Sequence, residues 1–325
     1  MKRAFVVLVC IILHGVLASE GDDAPAFKIC VNDCHDTSCP VSLSFQVEFA
    51  CRSYKRDCEY YCMHKLTDQA LDEGLPMVQY YGKWPFYRLA GLQEPASVVF
   101  SIGNGLVHYR YYKILSREIP VAYFYKPFLL AFALIGVNTW IWSTVFHARD
   151  LNWTQNMDYF SAGFSLLYAF YFAILRVFHV RHTSTIKILG AVLLMLFVMH
   201  VSYLSFVHFD FGYNIFVSVV VGVAQSLLWI GWAIMQYVKR TPSRSYAFLI
   251  LMFVLGVLTA SMLEVFDFAP IWRVFDAHSF WHFSTILITP FFYRFVIEDA
   301  WQEMGLHYSR WDNPKAFAGQ EWLPS

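Results

Sequence analysis

Residues 187–207 read KILGAVLLMLFVMHVSYLSFV, a stretch of 21 residues with one lysine, at its first position, and no carboxylate. A helix of this length rises about 30 Å, the thickness of the hydrocarbon core of a bilayer. Of the 325 residues, 58% are hydrophobic and only 15% are charged, which is more apolar surface than one soluble core buries. We therefore interpret the chain as a membrane protein. Its 24 basic and 24 acidic residues balance, which argues against nucleic acid as a partner.

Six further stretches of similar length accompany this one. The seven predicted spans are 95–114, 124–146, 158–178, 187–207, 213–237, 246–265 and 277–297. The first is the weakest, because it contains Asn104, His108 and Arg110. The sequence thus predicts an all-α membrane protein whose residues 95–297 form a seven-transmembrane helix bundle.

Basic residues are distributed unequally between the loops. If the segment before the first span is lumenal, ten basic residues flank the cytosolic loops, namely Arg110, Lys113, Arg117, Lys126, Arg176, Arg181, Lys187, Lys239, Arg240 and Arg244. Only Arg149 and Arg273 lie on lumenal loops. Positive charge concentrates on the cytosolic side of membranes, so we expect a lumenal amino terminus and a cytosolic tail at 298–325. The same orientation places an N-glycosylation acceptor, Asn152-Trp153-Thr154, in the lumen.

The amino terminus has the pattern of a targeting signal. Lys2 and Arg3 precede an apolar run that ends at Leu17, and a small-residue cleavage pattern ends at Ala18. This pattern is typical of a secretory signal peptide, so we expect residues 1–18 to be removed. An uncleaved anchor is the alternative, although the run is short for a span.

Six of the seven cysteines cluster in the segment that follows the signal. They are Cys30, Cys34, Cys39, Cys51, Cys58 and Cys62. An even, dense set in a secreted segment predicts three disulfides, whose connectivity the spacing does not choose. A zinc module is the competing interpretation. We expect residues 19–94 to form a small cysteine-rich lumenal domain.

Five polar residues lie toward the lumenal ends of three predicted spans, where burial in lipid is costly without a purpose. Ser143 and His147 lie in the second span, Asp158 begins the third, and His278 and His282 lie in the seventh. Each of the two pairs is four residues apart and therefore shares one helix face. The five side chains can thus converge from three separate helices.

Three converging imidazoles are the ligand set of a catalytic zinc, which keeps its fourth position open for water. The ion lowers the pKa of that water and polarises a carbonyl, and a nearby carboxylate can move the proton. We predict that His147, His278 and His282 bind Zn²⁺, that Asp158 moves the proton and that Ser143 donates to the oxyanion. The alternative is that each histidine only packs or hydrogen-bonds within the bundle.

The depth of the predicted site indicates the class of substrate. His282 lies roughly 9 Å past Asp276, at the mouth of its span, given a rise of 1.5 Å per residue. This is near the level at which lipid ester carbonyls meet the acyl chains. A hydrolase at this depth would cut a lipid acyl bond rather than a soluble substrate.

The order of these residues, with Asp158 after the first histidine and a late HxxxH pair, resembles the membrane-hydrolase superfamily of alkaline ceramidases and adiponectin and progestin receptors. Longer strings narrow the resemblance to the post-GPI attachment to proteins factor 3 family, where GPI is glycosylphosphatidylinositol. These strings are YYGKWPF at 80–86, QEPAS at 93–97, WSTVFHARD at 142–150 and DAHSFWH at 276–282. All five site positions match the superfamily pattern in residue type.

The resemblance implies a GPI-specific phospholipase A2-like activity. Such an enzyme removes the unsaturated sn-2 acyl chain of GPI-anchored proteins, with zinc-activated water attacking the ester carbonyl. The implied partners are GPI-anchored proteins, their lipid moiety and membrane lipid. The implied location is the Golgi membrane, with the endoplasmic reticulum as the alternative. A ceramidase-like amide hydrolase and a non-enzymatic seven-span receptor or assembly factor are the other two readings of the sequence.

Overall fold

The structure, a computed structural model, describes residues 20–38 and 45–305, and this part of the chain is mainly helical, with one long connection at residues 73–94. The predicted signal peptide at 1–18 and residues 306–325 of the predicted tail lie outside the described residues. The helices are α1 (Glu20–Asp23), α2 (Pro25–Ser38), α3 (Phe45–Asp72), α4 (Pro95–Glu118), α5 (Lys126–Ala148), α6 (Asn152–Val177), α7 (Thr183–Phe206), α8 (Phe211–Val238), α9 (Arg244–Phe266) and α10 (Ala277–Glu303).

Six of these helices, α5 to α10, are long and apolar enough to cross a membrane. The chain is therefore a multi-pass membrane protein, as the apolar stretches predict. Helix α4 coincides with the first predicted span and has a similar length, 24 residues, but it is not among the six. Helix α10 continues past the predicted end of its span at residue 297 and ends at Glu303.

The polar residues that lower the hydropathy of α4 also form its contacts with α10. Ser101, Asn104 and His108 are all buried. Ser101 Oγ lies 3.3 Å from His282 Nδ1, and Asn104 Nδ2 donates to the His282 carbonyl at 2.8 Å. His108 Nδ1 lies 2.7 Å from the hydroxyl of Tyr293. The low hydropathy of α4 thus reflects contacts inside the bundle, where buried polar groups need partners.

The apolar core fills the end of the bundle where α4 and α10 finish. Its members include Leu115 near the end of α4 and Ala300 near the end of α10, together with Trp229 and Phe292. Helix α7 contributes little to this core and buries only Leu204 fully. The candidate site lies at the opposite end, where α5 finishes and α10 begins.

A buried ion pair lies at the end of the bundle that contains the apolar core. Arg176 of α6 donates to both carboxylate oxygens of Asp299 of α10, at 2.5 and 2.7 Å. The hydroxyl of Tyr246 on α9 also donates to Asp299, at 3.0 Å. The bidentate contact joins α6 to α10, and the Tyr246 hydroxyl adds α9. Arg176 and Asp299 are both almost fully buried.

We expect Asp299→Ala to destabilise the protein by about 3–5 kcal/mol, because it leaves the buried Arg176 without its main partner. The measurement is thermal unfolding of the full-length protein in detergent. Glu298→Ala is the matched control, since that carboxyl is only half-buried, and it should cost about 1 kcal/mol or less. Equal effects of the two variants would contradict a structural role for the Asp299 pair.

Two disulfides join α2 to α3 in the amino-terminal segment. They connect Cys30 to Cys62 and Cys34 to Cys58. A zinc module built from these four cysteines is therefore wrong. The side chains of Cys39 and Cys51 lie outside the described part of the chain, so a third disulfide stays a prediction.

The amino-terminal segment is fastened to the connection between α9 and α10. Arg273 of this connection contacts His64 Nδ1 at 2.8 Å and donates to Asp68 at 2.5 Å. Asp267, at the end of α9, accepts from the indole of Trp84 at 2.9 Å. The segment therefore packs directly above the beginning of α10, next to the predicted site.

Candidate metal centre

The beginning of α10 is defined by its cap. The Asp276 carboxylate accepts from the backbone N–H of Ser279 at 2.8 Å, and the Ser279 hydroxyl accepts from the Asp276 N–H at 3.0 Å. This reciprocal capping box satisfies amide groups that the first helical turn leaves unpaired. It fixes the turns that carry His278 and His282, which face the end of α5 where His147 is the penultimate residue.

The three histidines predicted as ligands meet at this point. His278 Nε2 lies 2.8 Å from His282 Nε2 and 3.4 Å from His147 Nε2. One nitrogen from each ring falls within 4.8 Å of the other two, an arrangement that could hold a metal ion. The shared helix face of the HxxxH pair and the end of α5 together produce this convergence.

Each histidine uses its other nitrogen for a separate partner. His147 Nδ1 contacts Glu94 Oε2 at 2.6 Å, and His278 Nδ1 contacts Glu264 Oε1 at 2.8 Å. His282 Nδ1 contacts Ser101 Oγ at 3.3 Å. Carboxylates only accept hydrogen bonds, so a neutral His147 and a neutral His278 carry their protons on Nδ1. Their Nε2 lone pairs then face each other, an arrangement that a bound cation would stabilise.

The distances suit a tetrahedral ion. Zinc binds imidazole nitrogen at about 2.0–2.1 Å, so tetrahedral ligand nitrogens lie about 3.4 Å apart. The separation of His147 and His278, 3.4 Å, matches this spacing. His282 and His278 are closer, at 2.8 Å, so the ring of His282 has to move outward by several tenths of an ångström to bind. The donor set therefore fits zinc after a small ring movement.

Asp158 and Ser143, the other two predicted site residues, lie beside the histidines. Asp158 is buried in the second turn of α6, within electrostatic range of His147 and His278. Ser143 is buried one turn before His147. Its Oγ lies 3.0 Å from that of Ser101, which in turn contacts His282. All five predicted side chains thus lie in one neighbourhood.

The sequence interpretation missed the three partners of the Nδ1 atoms. Glu264 was detectable, because it is a carboxylate near the end of an apolar span and such residues are costly there. Glu94 lies within the QEPAS string but in a loop before α4. Ser101 is an ordinary hydroxyl on a helix, and nothing in the sequence distinguishes it.

Lys83 links the amino-terminal segment to the centre. Its ammonium forms ion pairs with Glu94 and, at 2.8 Å, with Asp150, and it lies over the ring of Phe146. Burial disfavours its charge, but attraction to the two carboxylates outweighs burial and raises the pKa of Lys83. Burial likewise opposes ionisation of Glu94, but Lys83 and His147 outweigh it and lower the pKa of Glu94. Glu94 therefore stays a carboxylate that accepts from His147.

The exposed side of the centre is formed by His278 and Glu264. The His147 side chain is 3% exposed, whereas those of His278 and Glu264 are 36% and 43% exposed. Trp140 and Trp281 pack edge-on against the ring of His282. A reactant can therefore reach the histidines from the side of α9 and α10.

We expect Glu94→Gln to weaken metal binding by about 10 to 100-fold, because it removes the charge that holds the Nδ1 proton of His147. The glutamine oxygen can still accept that hydrogen bond, so the fold should survive. The measurement is metal retained per chain during titration with a chelator. Glu73→Gln, at an exposed site at the end of α3, is the control. Identical chelation curves for both variants would contradict a role for Glu94 in holding His147.

Residues 44–300 match the model of the Per1-like family. The chain belongs to this family. A relative from Mus musculus, named GPI-specific phospholipase A2-like PGAP3, is 35% identical over 92% of this chain and 95% of its own length. The human protein of the same name is 34% identical over 87% of this chain and 89% of its own. Protein PER1 homolog of Schizosaccharomyces pombe is 36% identical over 87% of both chains.

These relatives confirm the resemblance that the strings around His147 and His282 indicate. The Per1-like match begins in the amino-terminal segment and ends near the carboxyl end of α10, so it includes all five predicted site residues. No solved structure matches the chain.

Proposed function

We propose that this Per1-like protein removes the unsaturated sn-2 acyl chain from GPI-anchored proteins by metal-dependent hydrolysis. The names of its relatives, GPI-specific phospholipase A2-like, support the class of substrate. One structural observation carries the chemistry: the three Nε2 atoms converge while each Nδ1 has its own partner. That arrangement orients imidazoles for an ion, which a packing role for single histidines does not require.

The proposed ion is Zn²⁺, held by His147, His278 and His282. When bound there, it would supply a Lewis acid and a water molecule that is acidic enough to attack at neutral pH. Glu94 and Glu264 accept hydrogen bonds from the Nδ1–H groups of His147 and His278 and thereby keep two of the three rings in the tautomer that binds metal. Asp158 and Ser143 are the two remaining residues of the proposed site, and neither is proposed as a metal ligand.

Asp158 is proposed to move the proton. As the attacking water adds to the ester carbonyl, the carboxylate takes the proton that the water loses. It then gives that proton to the leaving glycerol oxygen, so the products are a free fatty acid and a lyso-lipid anchor. Burial in α6 beside His147 and His278 keeps this carboxylate near the reacting atoms.

Ser143 is proposed to stabilise the negative charge that develops on the carbonyl oxygen. If Nε2 of His282 binds the ion, its Nδ1–H would donate to Ser101, and the Ser101 hydroxyl would in turn donate to Ser143. The Ser143 hydroxyl is left with its own proton to donate onward. The order of protons along this chain therefore makes Ser143 the terminal donor, which suits an oxyanion.

We also propose the seven-span topology, with α4 as the first span. Residues 1–18 are then the signal peptide, 19–94 a lumenal domain, 95–297 the membrane domain and 298–325 a cytosolic tail. The burial of the α4 polar groups against α10 supports α4 as a member of the bundle. The proposed location is the Golgi membrane, or the endoplasmic reticulum.

Chemical labelling tests this orientation. A cysteine introduced as Asn152→Cys, next to the proposed metal centre, should react only with reagents applied from the lumen. One introduced as Pro242→Cys, between α8 and α9, should react only from the cytosol. The reverse pattern would contradict the orientation and with it a lumenal active site.

The glycosylation acceptor at Asn152-Trp153-Thr154 stays a prediction. Asn152 is exposed at the beginning of α6. Thr154 is buried, and its hydroxyl donates to the carbonyl of Arg149 and accepts from the N–H of Leu151. The threonine hydroxyl is thus occupied in starting the helix, so any glycan has to be attached before α6 folds.

The experiment for this function is acyl-chain mass spectrometry of GPI anchors from cells that lack the protein. Rescue with the wild-type chain should convert unsaturated sn-2 chains to saturated ones, because hydrolysis is the first step of that exchange. Persistence of the unsaturated chains after rescue with well-expressed protein would contradict the proposal.

A further inference from the structure

A positively charged cavity lies beside the metal centre. Its volume is about 190 Å³, and its charged lining consists of Arg56, Arg88, Arg149 and Asp57. Three arginines thus face one carboxylate in a space large enough for an anion. Three separate elements contribute them: α3, the connection that leads to α4, and the residue that follows α5.

The single carboxylate does not neutralise the arginines. Asp57 lies 3.6 Å from the nearest nitrogen of Arg88, which is too far for a hydrogen bond, and its side chain is 66% exposed. The guanidinium of Arg88 stacks over the ring of Tyr60 at 4.2 Å. Stacking uses the face of a guanidinium and leaves its N–H edge for an acceptor. The cavity lining therefore presents hydrogen-bond donors with an excess of positive charge, and Glu59, which attracts Arg56, lines the adjoining cavity.

The backbone places this cavity next to the proposed ligands. Arg149 follows His147 by two residues, and Gln93, which also lines the cavity, precedes Glu94. The two segments are paired, since the N–H of Glu94 donates to the His147 carbonyl at 3.1 Å and that of Gln93 to the Ala148 carbonyl at 3.2 Å. The cavity and the proposed metal centre are thus adjacent, because the same two paired backbone segments contribute residues to both.

In a glycerophospholipid, the phosphate and the sn-2 ester are close together. Its phosphate is attached to the glycerol carbon next to the one that bears the sn-2 ester, so an enzyme that places the ester at the metal must place the phosphate a few ångströms away. Arg149 is also one of only two basic residues on the loops expected to be lumenal. An arginine is disfavoured there by the usual charge distribution, which suggests that it serves a purpose.

We propose that Arg56, Arg88 and Arg149 bind the phosphodiester of an inositol phospholipid headgroup and thereby position its sn-2 ester at the metal centre. This inference rests on the proposed function. Arginine binds phosphate oxygens through pairs of charge-assisted hydrogen bonds, which give direction as well as attraction. A zwitterionic headgroup such as phosphocholine would bring its own cation against the three arginines, so the cavity favours a headgroup with net negative charge.

Binding can be measured without hydrolysis. The probe is a short-chain phosphatidylinositol with ether-linked chains, which has no ester to cut, titrated calorimetrically into the full-length protein in nanodiscs. The comparison ligands are the ether-linked phosphatidylcholine of the same chain length and inorganic phosphate. We expect the inositol lipid to bind at least about tenfold more tightly than either, because the cavity and the membrane together recognise a charged lipid headgroup.

Substitutions then assign the binding to the cavity. Arg149→Gln and Arg56→Gln should each weaken binding of the inositol lipid about tenfold, as expected for loss of a hydrogen bond between charged groups. Lys65→Gln is the control, because Lys65 is an exposed cation on the same helix as Arg56 but does not line the cavity. It should leave affinity unchanged.

The outcomes separate this inference from the proposed function. Equal binding of the two lipids, equal binding of inorganic phosphate, or unchanged affinity in both arginine variants would overturn the headgroup site even if the protein hydrolyses GPI anchors. Arginine-dependent binding of the inositol lipid by a protein that leaves GPI anchors intact would uphold the site and refute the hydrolase.

Discussion

His278→Ala should lose its metal and its hydrolytic activity together. The substitution removes one of the three proposed ligands from a group that has no spare imidazole among the described residues. Alanine is well tolerated in helices, and the side chain of His278 is 36% exposed, so little packing is lost. We expect metal content to fall from about one ion per chain to near background, with anchor remodelling in rescued knockout cells falling to the level of the empty vector.

The matched control for this variant is His200→Ala. His200 is also a histidine within a predicted span, but its Nε2 contacts Asn214, 3.2 Å away on α8, rather than the centre. It should retain its metal and its activity. Full metal content in stably expressed His278→Ala would contradict the three-histidine site, whereas loss of metal in both variants would indicate general unfolding.

Asp158→Asn should retain the metal but release the acyl chain much more slowly. Asparagine preserves the size of the side chain but cannot take up a proton at working pH, so the loss should be on the order of 10² to 10⁴-fold, the usual scale for general acid–base catalysis. The measurement pairs initial rates of acyl release with metal content per chain. The expression level should match that of the wild type, because no ligand and no core contact is removed.

Two other results for Asp158→Asn would contradict the assignment. Loss of metal along with activity would mean that the carboxylate is a ligand or holds one in place. Full activity would mean that Asp158 does not move the proton. Asp210→Asn is the control, because Asp210 is a carboxylate that caps α8 and has no proposed part in the reaction.

The convergence of the three proposed ligands was predictable from the sequence because their geometry is largely local. A spacing of four residues places His278 and His282 on one helix face whatever the rest of the fold does. Apolar stretches long enough to span a bilayer likewise define α5 to α10 without tertiary information. His147 could be added because the alternation of spans returns the ends of α5 and α10 to the same membrane side.

Two of the three partners of the proposed ligands, Glu94 and Ser101, were not predictable because they come from distant parts of the chain. Glu94 reaches His147 from a loop 53 residues earlier, and Ser101 reaches His282 across 181 residues. Such contacts depend on how α4 packs against α10. The polar residues that form the contacts also lower the hydropathy of α4. The pairing of four of the cysteines also required the structure, because spacing alone permits many connectivities.

The central claim is that water cleaves the sn-2 ester at the histidine centre. It is tested most directly by incubating the purified protein, in liposomes made with heavy-oxygen water, with a GPI-anchored protein that bears an unsaturated sn-2 chain. We expect mass spectrometry to find the lyso-anchor and the free unsaturated fatty acid in equal amounts, with one heavy oxygen in the carboxylate, and neither product from His278→Ala. An unchanged anchor, or an acyl chain transferred to another lipid without heavy oxygen, would contradict the account.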